Sequence, residues 1–169
     1  DEDTAMGGRL LREQEDIDGM PAAEWVAGAL AELHGLSNVR MMTRTTVTGA
    51  YDQGTYGAVE QIAGPRAEGK PLECFWRIVA KHAILCAGAL ERPIAFPNND
   101  RPGIMMASAV RAYVNRWGVA PGKSVAIFGN NDDAHRTAVD LQAAGVHIAG
   151  VVDSRQDAKP LGDYQLYAG

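Results

Sequence analysis

The stretch from Ser124 to Asp153 constrains this chain most. Ser124 to Phe128 is a compact apolar run of the kind a buried parallel strand presents. Gly129-Asn130-Asn131-Asp132-Asp133 is a sharp polar turn. Ala134 to Ala144 reads as a helix closed by Gly145, and Ile148 to Val152 as a second strand ending in Asp153. A β-turn-α-turn-β unit of about 30 residues is the size of a nucleotide-binding half-fold. The chain is therefore expected to be α/β.

The turn argues two ways. A dinucleotide-binding unit carries G-x-G-x-x-G there, because glycines let the backbone approach the pyrophosphate at a helix N-terminus. Here only Gly129 stands at a glycine position, with Asn131 and Ala134 in the other two. Asp132 and Asp133 place negative charge at the helix start, which suits capping and opposes phosphate. Asp153 stands where an acidic residue accepts hydrogen bonds from ribose hydroxyls. A structural unit and a nucleotide-holding unit both stay open on this pattern.

Upstream, Pro21 opens a helix whose apolar stripe is Trp25, Val26, Ala29, Leu30 and Leu33, ended by Gly35. That stripe is expected to lie on a sheet. Val39 to Met42 reads as a short buried strand. Thr45 to Tyr51, Tyr56 to Ile62 and Glu73 to Val79 read as an antiparallel meander, with turns at Asp52-Gln53-Gly54 and Gly64 to Pro71. His82 to Cys86 is a further apolar run, expected as a buried strand, and Ala87-Gly88-Ala89 follows it. Arg92 to Pro102 is a loop, Ile104 to Trp117 a helix stopped by Gly118, and the polar residues after Arg155 begin a further element.

Composition excludes several classes. With 169 residues there is chain for one domain, or one and a fraction. A net charge of -5 leaves nothing to neutralise a row of phosphates, so a nucleic-acid partner is not expected. No apolar run approaches the roughly 18 to 20 residues needed to span a bilayer. Cys74 and Cys86 form no framework, and His34, His82, His135 and His147 show no metal-ligand spacing. With no signal peptide, the expected compartment is the cytoplasm. The chain opens at Asp1-Glu2-Asp3 without Met, so it is expected to be a piece of something longer.

That acidic opening, followed by Gly7-Gly8-Arg9-Leu10, looks like the segment after the second strand of another nucleotide fold. An acidic side chain there takes an adenosine ribose, and the glycine pair lets backbone amides reach a pyrophosphate. Ala87, Gly88 and Ala89 fit a second close approach. Arg101-Pro102-Gly103, Arg111 and Arg116 suit either a basic patch or a solvated helix face. No general acid, base or nucleophile stands out, so no catalytic residue is assigned.

Taken together, Glu2 with Gly7-Gly8, the meander, Ile84 through Pro93 and the βαβ unit follow the order of two-dinucleotide-domain flavoprotein reductases. More narrowly, Ala89-Leu90-Glu91-Arg92-Pro93, Phe96 through Met105, Ala107 through Tyr113, Asn130 through Ala134 and Val151 through Arg155 resemble the alpha subunits of heterotetrameric bacterial sarcosine oxidases. The resemblance implies a Rossmann-like fold with an inserted three-stranded antiparallel meander and a C-terminal βαβ unit. It implies part of an FAD/NAD(P)-binding domain over 1–103, and a helix with a degenerate second dinucleotide-binding unit over 104–169.

The resemblance further implies an oxidoreductase complex that converts N-methylglycine to glycine, with tetrahydrofolate as one-carbon acceptor and peroxide as product. FAD then belongs to the beta subunit, FMN to the alpha-beta interface and NAD to the alpha subunit, with gamma and delta subunits as further partners. Carried onto this chain, Glu2 takes the adenosine ribose, Gly8 and Arg9 lie near the pyrophosphate, Val47 lies near the adenine, and Ala87, Gly88 and Ala89 line the second approach. The glycine-rich turn expected just before Asp1 and the folate-binding region are not in the sequence, so the chain alone is expected to bind NAD weakly or not at all. The alternatives are the alpha subunit of a related opine or amine dehydrogenase, and a scaffold domain for subunit contact.

Overall fold

A computed structural model of the chain describes residues 1–62, 69 and 71–169. They form two compact units, Asp1–Leu11 with Glu15–Gly88, and Arg12–Gln14 with Ala89–Gly169.

A short 3-10 turn, Gly8–Arg12, precedes the two-stranded ribbon of the first unit, β1 (Asp16–Ile17) and β2 (Met20–Pro21). Helix α1 (Ala22–His34) starts directly after Pro21, whose fixed φ of -53° suits a helix entrance. The expected seat of α1 on a sheet is met in part. It packs on the ribbon and buries Ala22 and Val26, while Trp25 and Leu33 stay exposed. Gly7 permits this packing, since a Cβ there would lie 2.8 Å from Leu11 and 2.9 Å from Val26. The strand expected at Val39 to Met42 is not formed; Val39 is exposed and no partner strand pairs with it among the described residues.

The meander is present. Strands β3 (Thr45–Tyr51), β4 (Thr55–Gln61) and β5 (Glu73–Val79) pair antiparallel in the order β3-β4-β5. Register partners include Val47 with Ala58 and Ala58 with Trp76, and a bulge falls between Val47 and Gly49. Trp76 Nε1 donates to Glu60 Oε2 at 2.7 Å, and the Arg40 guanidinium stacks 4.2 Å above the Trp76 ring. The turn expected at 64–71 lies outside the described residues, save 69 and 71. His82 to Cys86 is also corrected: it is irregular chain without a ladder partner among the described residues, and Ile84 and Leu85 are 89 % and 90 % exposed. An apolar run becomes a strand only where an edge accepts its backbone groups.

The second unit holds α2 (Ala107–Trp117), β6 (Ser124–Gly129), α3 (Asp132–Ala143), β7 (His147–Asp153) and β8 (Leu166–Ala168). Strands β6, β7 and β8 are parallel and ordered β6-β7-β8. The β6-α3-β7 crossover is the βαβ unit read from the sequence, and β8 is the further element beyond Arg155. Ile127, Ala138, Leu141, Ile148, Val151 and Val110 make its core. Glu91 Oε2 accepts from Ser108 N at 2.9 Å and caps α2 from outside, because Met106 at the cap position has no acceptor side chain. Gly118 ends α2 in the left-handed region, at φ 65°.

Candidate functional site

The strand-turn-helix of β6 and α3 is built by its sequence. A Cβ at Gly129 would stand 2.4 Å from the Ala134 Cβ, so glycine is what lets the strand meet the helix. Asn131 is the N-cap, its side chain accepting from Asp133 N at 3.1 Å. Asp132 and Asp133 fill the first turn, two residues earlier than the expected helix start, because both carboxylates favour that end of the helix dipole.

Behind this turn lies a closed polar chain. His135 is fully buried on α3, and its Nε2 donates to Asp153 Oδ2 at 2.8 Å. Its Nδ1 stands 2.7 Å from the Tyr164 hydroxyl, which accepts from Leu161 N at 3.0 Å. With the ring proton on Nε2, Nδ1 accepts from Tyr164 and every member of the chain is satisfied. Asp153 Oδ1 accepts from Arg155 N at 2.9 Å, and its Oδ2 accepts from Arg155 Nη2 at 2.8 Å. Arg155 Nη2 also reaches Asp132 Oδ1 at 2.8 Å.

The hydrogen bond from Arg155, above all, holds the Asp153 carboxyl far below the usual carboxylate range, against the opposing effect of burial. The Arg155 pKa is raised in turn, chiefly by Asp153. Both Asp153 oxygens are thus engaged by side chains and backbone of this chain. The helix N-terminus that would face a pyrophosphate carries Asp132 and Asp133. This turn does not fit a dinucleotide.

A second polar cluster was not legible in the sequence. Arg111 is 4 % exposed, so it belongs neither to a basic patch nor to a solvated face. It pairs with the buried carboxylate of Glu13, and its Nε donates to Asp140 Oδ2 at 2.6 Å. Asn115, one helical turn on, donates to Asp140 Oδ2 at 2.7 Å and to the Arg12 carbonyl at 2.8 Å. The i,i+4 spacing of Arg111 and Asn115 is visible in the sequence; their partners, Glu13 and Asp140, are remote in it. A depression of about 700 Å³ lined by Gln142, His147, Asp163 and Tyr164 lies at the N-terminal end of β7, opposite the end where open α/β sheets bind ligands.

The residues expected to hold a nucleotide fall in separate places. Asp1 N donates to Met42 O, Thr45 N to Asp1 O and Arg44 N to Asp3 O, at 2.9, 2.8 and 2.8 Å. These bonds set the exposed Glu2 alongside the start of β3, two residues from Val47, which is exposed on the meander. Gly8 opens the 3-10 turn at φ 51°, with open space where a Cβ would be, and Arg9 follows it exposed. Ala87, Gly88 and Ala89 lie on exposed irregular chain, Gly88 at φ 70°. The backbone bonds of Asp1 and Asp3 place Glu2 beside Arg44 and Thr45, and no hydrogen bond ties Ala87 or Gly88 to Glu2 or Val47 among the described residues.

No protein-family model matches the chain. The sarcosine oxidase alpha subunit of Rhizobium meliloti (strain 1021) is 47 % identical over 161 residues, 94 % of this chain and 16 % of the relative. That of Corynebacterium sp. (strain P-1) is 42 % identical over 160 residues, 91 % of this chain and again 16 % of the relative.

The chain is homologous to one segment of sarcosine oxidase alpha subunits.

It spans about a sixth of the length of those sarcosine oxidase subunits. An opine oxidase subunit of Agrobacterium tumefaciens (strain Ach5) is similar at 29 % identity over 163 residues, 92 % of this chain and 31 % of the relative. Among solved structures, the crystal structure of L-proline dehydrogenase from P. horikoshii matches 99 % of this chain and 35 % of its own, with TM-score 0.72 and 21 % identity. That likeness shows a shared mixed α/β fold. The relatives are named as oxidase subunits. Among the described residues no helix is long and apolar enough to cross a membrane.

Proposed function

We propose that this chain is a segment of a sarcosine-oxidase-type alpha subunit, and that its first unit helps to hold a dinucleotide, NAD, in the assembled enzyme. The observation that carries this reading is the 47 % identity that runs across 94 % of the chain. The chemistry of the first unit is compatible with it. Glu2 offers an exposed carboxylate of the kind that takes ribose hydroxyls, and the left-handed Gly8 next to the Arg9 cation suits a pyrophosphate. Val47 would lie against the adenine, and Ala87, Gly88 and Ala89 would make the second approach.

In the assembled enzyme, N-methylglycine would be oxidised to glycine with peroxide formed, FAD and FMN residing elsewhere in the complex. Beta, gamma and delta subunits are the proposed partners and the cytoplasm the proposed compartment. NAD, when bound, would supply a nicotinamide able to accept hydride; the residues of this chain bind and orient it and perform no bond-making step. By itself the chain is proposed to have little activity.

The test is Glu2→Ala in the full complex, with bound nucleotide released by denaturation and quantified. The expected result is loss of most of the NAD. Unchanged NAD content together with unchanged turnover overturns the assignment. Calorimetry on the 169-residue chain is expected to show no micromolar NAD binding. The similarity to the opine oxidase relative favours a second reading, a subunit of an opine-oxidising complex, which turnover with sarcosine against an opine separates.

A further inference from the structure

The first unit sets one uncommitted carboxylate beside one uncommitted guanidinium. Of the three acids that open the chain, two are spent on their own turn. Asp1 Oδ1 accepts from Asp3 N at 2.9 Å, and Asp3 Oδ1 accepts from Thr4 N at 2.6 Å and from the Thr4 hydroxyl at 3.2 Å. Along the meander, Arg40 lies on the Trp76 ring and Glu60 accepts from Trp76 Nε1. Glu2 and Arg44 are both exposed, and the side chain of neither makes a hydrogen bond or an ion pair among the described residues. They do not pair with each other either.

Backbone bonds hold the two residues side by side. Arg44 N donates to Asp3 O and Thr45 N to Asp1 O, both at 2.8 Å, which brackets Glu2 against the start of β3. The Arg44 carbonyl accepts from Gln61 N at 2.9 Å. Arg44 stands at φ 51°, a left-handed conformation that costs a residue with a Cβ and is held here by bonds at both its N–H and its C=O. Val47, further along β3, is 62 % exposed. The strand from Arg44 to Val47 covers about 10 Å, which matches the reach of an adenosine from its ribose hydroxyls to the far edge of its base. With the base on Val47, the ribose falls at Glu2 and Arg44.

We propose that Arg44 is a specificity-determining residue at the ribose end of this site, placed to meet a 2′-phosphate, and that the Glu2 carboxylate alone makes the site take NAD and refuse NADP. This rests on the nucleotide reading of the first unit. The discrimination is one of charge. A carboxylate accepts hydrogen bonds from free ribose hydroxyls and repels a phosphate carried on one of them. A guanidinium does the reverse, since it only donates and its fork fits phosphate oxygens. An acidic residue alone favours the free ribose, and an arginine alone favours the phosphorylated one. With both in place, neutralising Glu2 is enough to reverse the preference.

The experiment purifies the complete subunit assembled with its partner subunits, releases bound nucleotide by denaturation and quantifies NAD and NADP separately. Neither side chain has a partner in the fold, so the variants are expected to assemble, and Glu2→Ser repeats the measurement should Glu2→Gln assemble poorly. Glu2→Gln is expected to lose NAD and to raise bound NADP about tenfold or more over wild type. Adding Arg44→Ala is expected to abolish that gain, whereas adding Arg44→Lys keeps part of it, because the charge stays and the fork does not. Loss of NAD without a gain of NADP, or a gain that survives Arg44→Ala, overturns the role of Arg44 and leaves the nucleotide reading standing. Unchanged NAD in Glu2→Gln, with no NADP, overturns the nucleotide reading and this proposal with it.

Discussion

His135 Nε2 donates to Asp153 Oδ2 at 2.8 Å in the interior of the C-terminal unit, where neither side chain meets solvent. One end of the βαβ unit is thereby tied to its own helix. A carboxylate that a dinucleotide would need for its ribose is committed to holding the protein together.

The far end of that chain is the Tyr164 hydroxyl. Tyr164→Phe leaves the buried His135 Nδ1 without its partner. A buried polar atom stripped of its hydrogen bond costs about 1–3 kcal/mol. Denaturant titration of the variant against the wild-type chain should show that loss at an unchanged slope; equal midpoints would mean that Nδ1 was never bonded to Tyr164.

Acid should weaken this unit through Asp153. Its folded pKa is depressed, so the stabilisation is complete above the ordinary carboxylate value of about 4 and is lost as pH falls from there toward the folded value. The melting temperature of the wild-type chain should drop steeply below about pH 4. In Asp153→Asn the stability at neutral pH should be lower by about 1–3 kcal/mol and the acid slope shallower. Parallel pH profiles for the two proteins would contradict this account.

Arg111 should be the most costly charged residue to remove. Arg111→Ala leaves the carboxylates of Glu13 and Asp140 without their cation, and breaking a buried pair costs about 3–5 kcal/mol. Adding Glu13→Gln to Arg111→Ala should recover part of the loss, because one uncompensated charge is then removed. Arg111→Lys should fall between wild type and alanine, since the charge stays but the guanidinium fork does not. Strictly additive effects of Arg111→Ala and Glu13→Gln would show that the two side chains are not coupled.

Gly129→Ala tests the strand-to-helix approach. The added Cβ would stand 2.4 Å from that of Ala134, and overpacking of this kind costs about 1–3 kcal/mol. Ala134→Gly in the same chain opens the space and should restore part of the melting temperature. A fully stable Gly129→Ala would mean that β6 and α3 are not packed as described.

Elements with strong local logic were legible in the sequence. The βαβ unit was readable because apolar runs, a polar turn and Gly145 each act within a few residues. The meander was readable from β-branched alternation between Thr45 and Val79. The misplaced elements share a cause. His82 to Cys86 and Val39 to Met42 have strand-like composition, yet a strand also needs a neighbour at hydrogen-bonding distance, which no local pattern supplies. Trp25 and Leu33 marked an apolar helix stripe, but what the stripe would face was not written in its period.

The sequence by itself determined the α/β class, the meander, the βαβ unit and the negative charge at the α3 start from Asp132 and Asp133. Each follows from short-range sterics, periodicity and capping. Tertiary structure alone decided that Arg111 is buried with Glu13 and Asp140, and that Asp153 is spent on His135 and Arg155. It also decided that Phe128, Val152 and Tyr167 meet in one row. These pairings join residues far apart in the chain, and their energies depend on burial and distance, which exist only once the chain has folded.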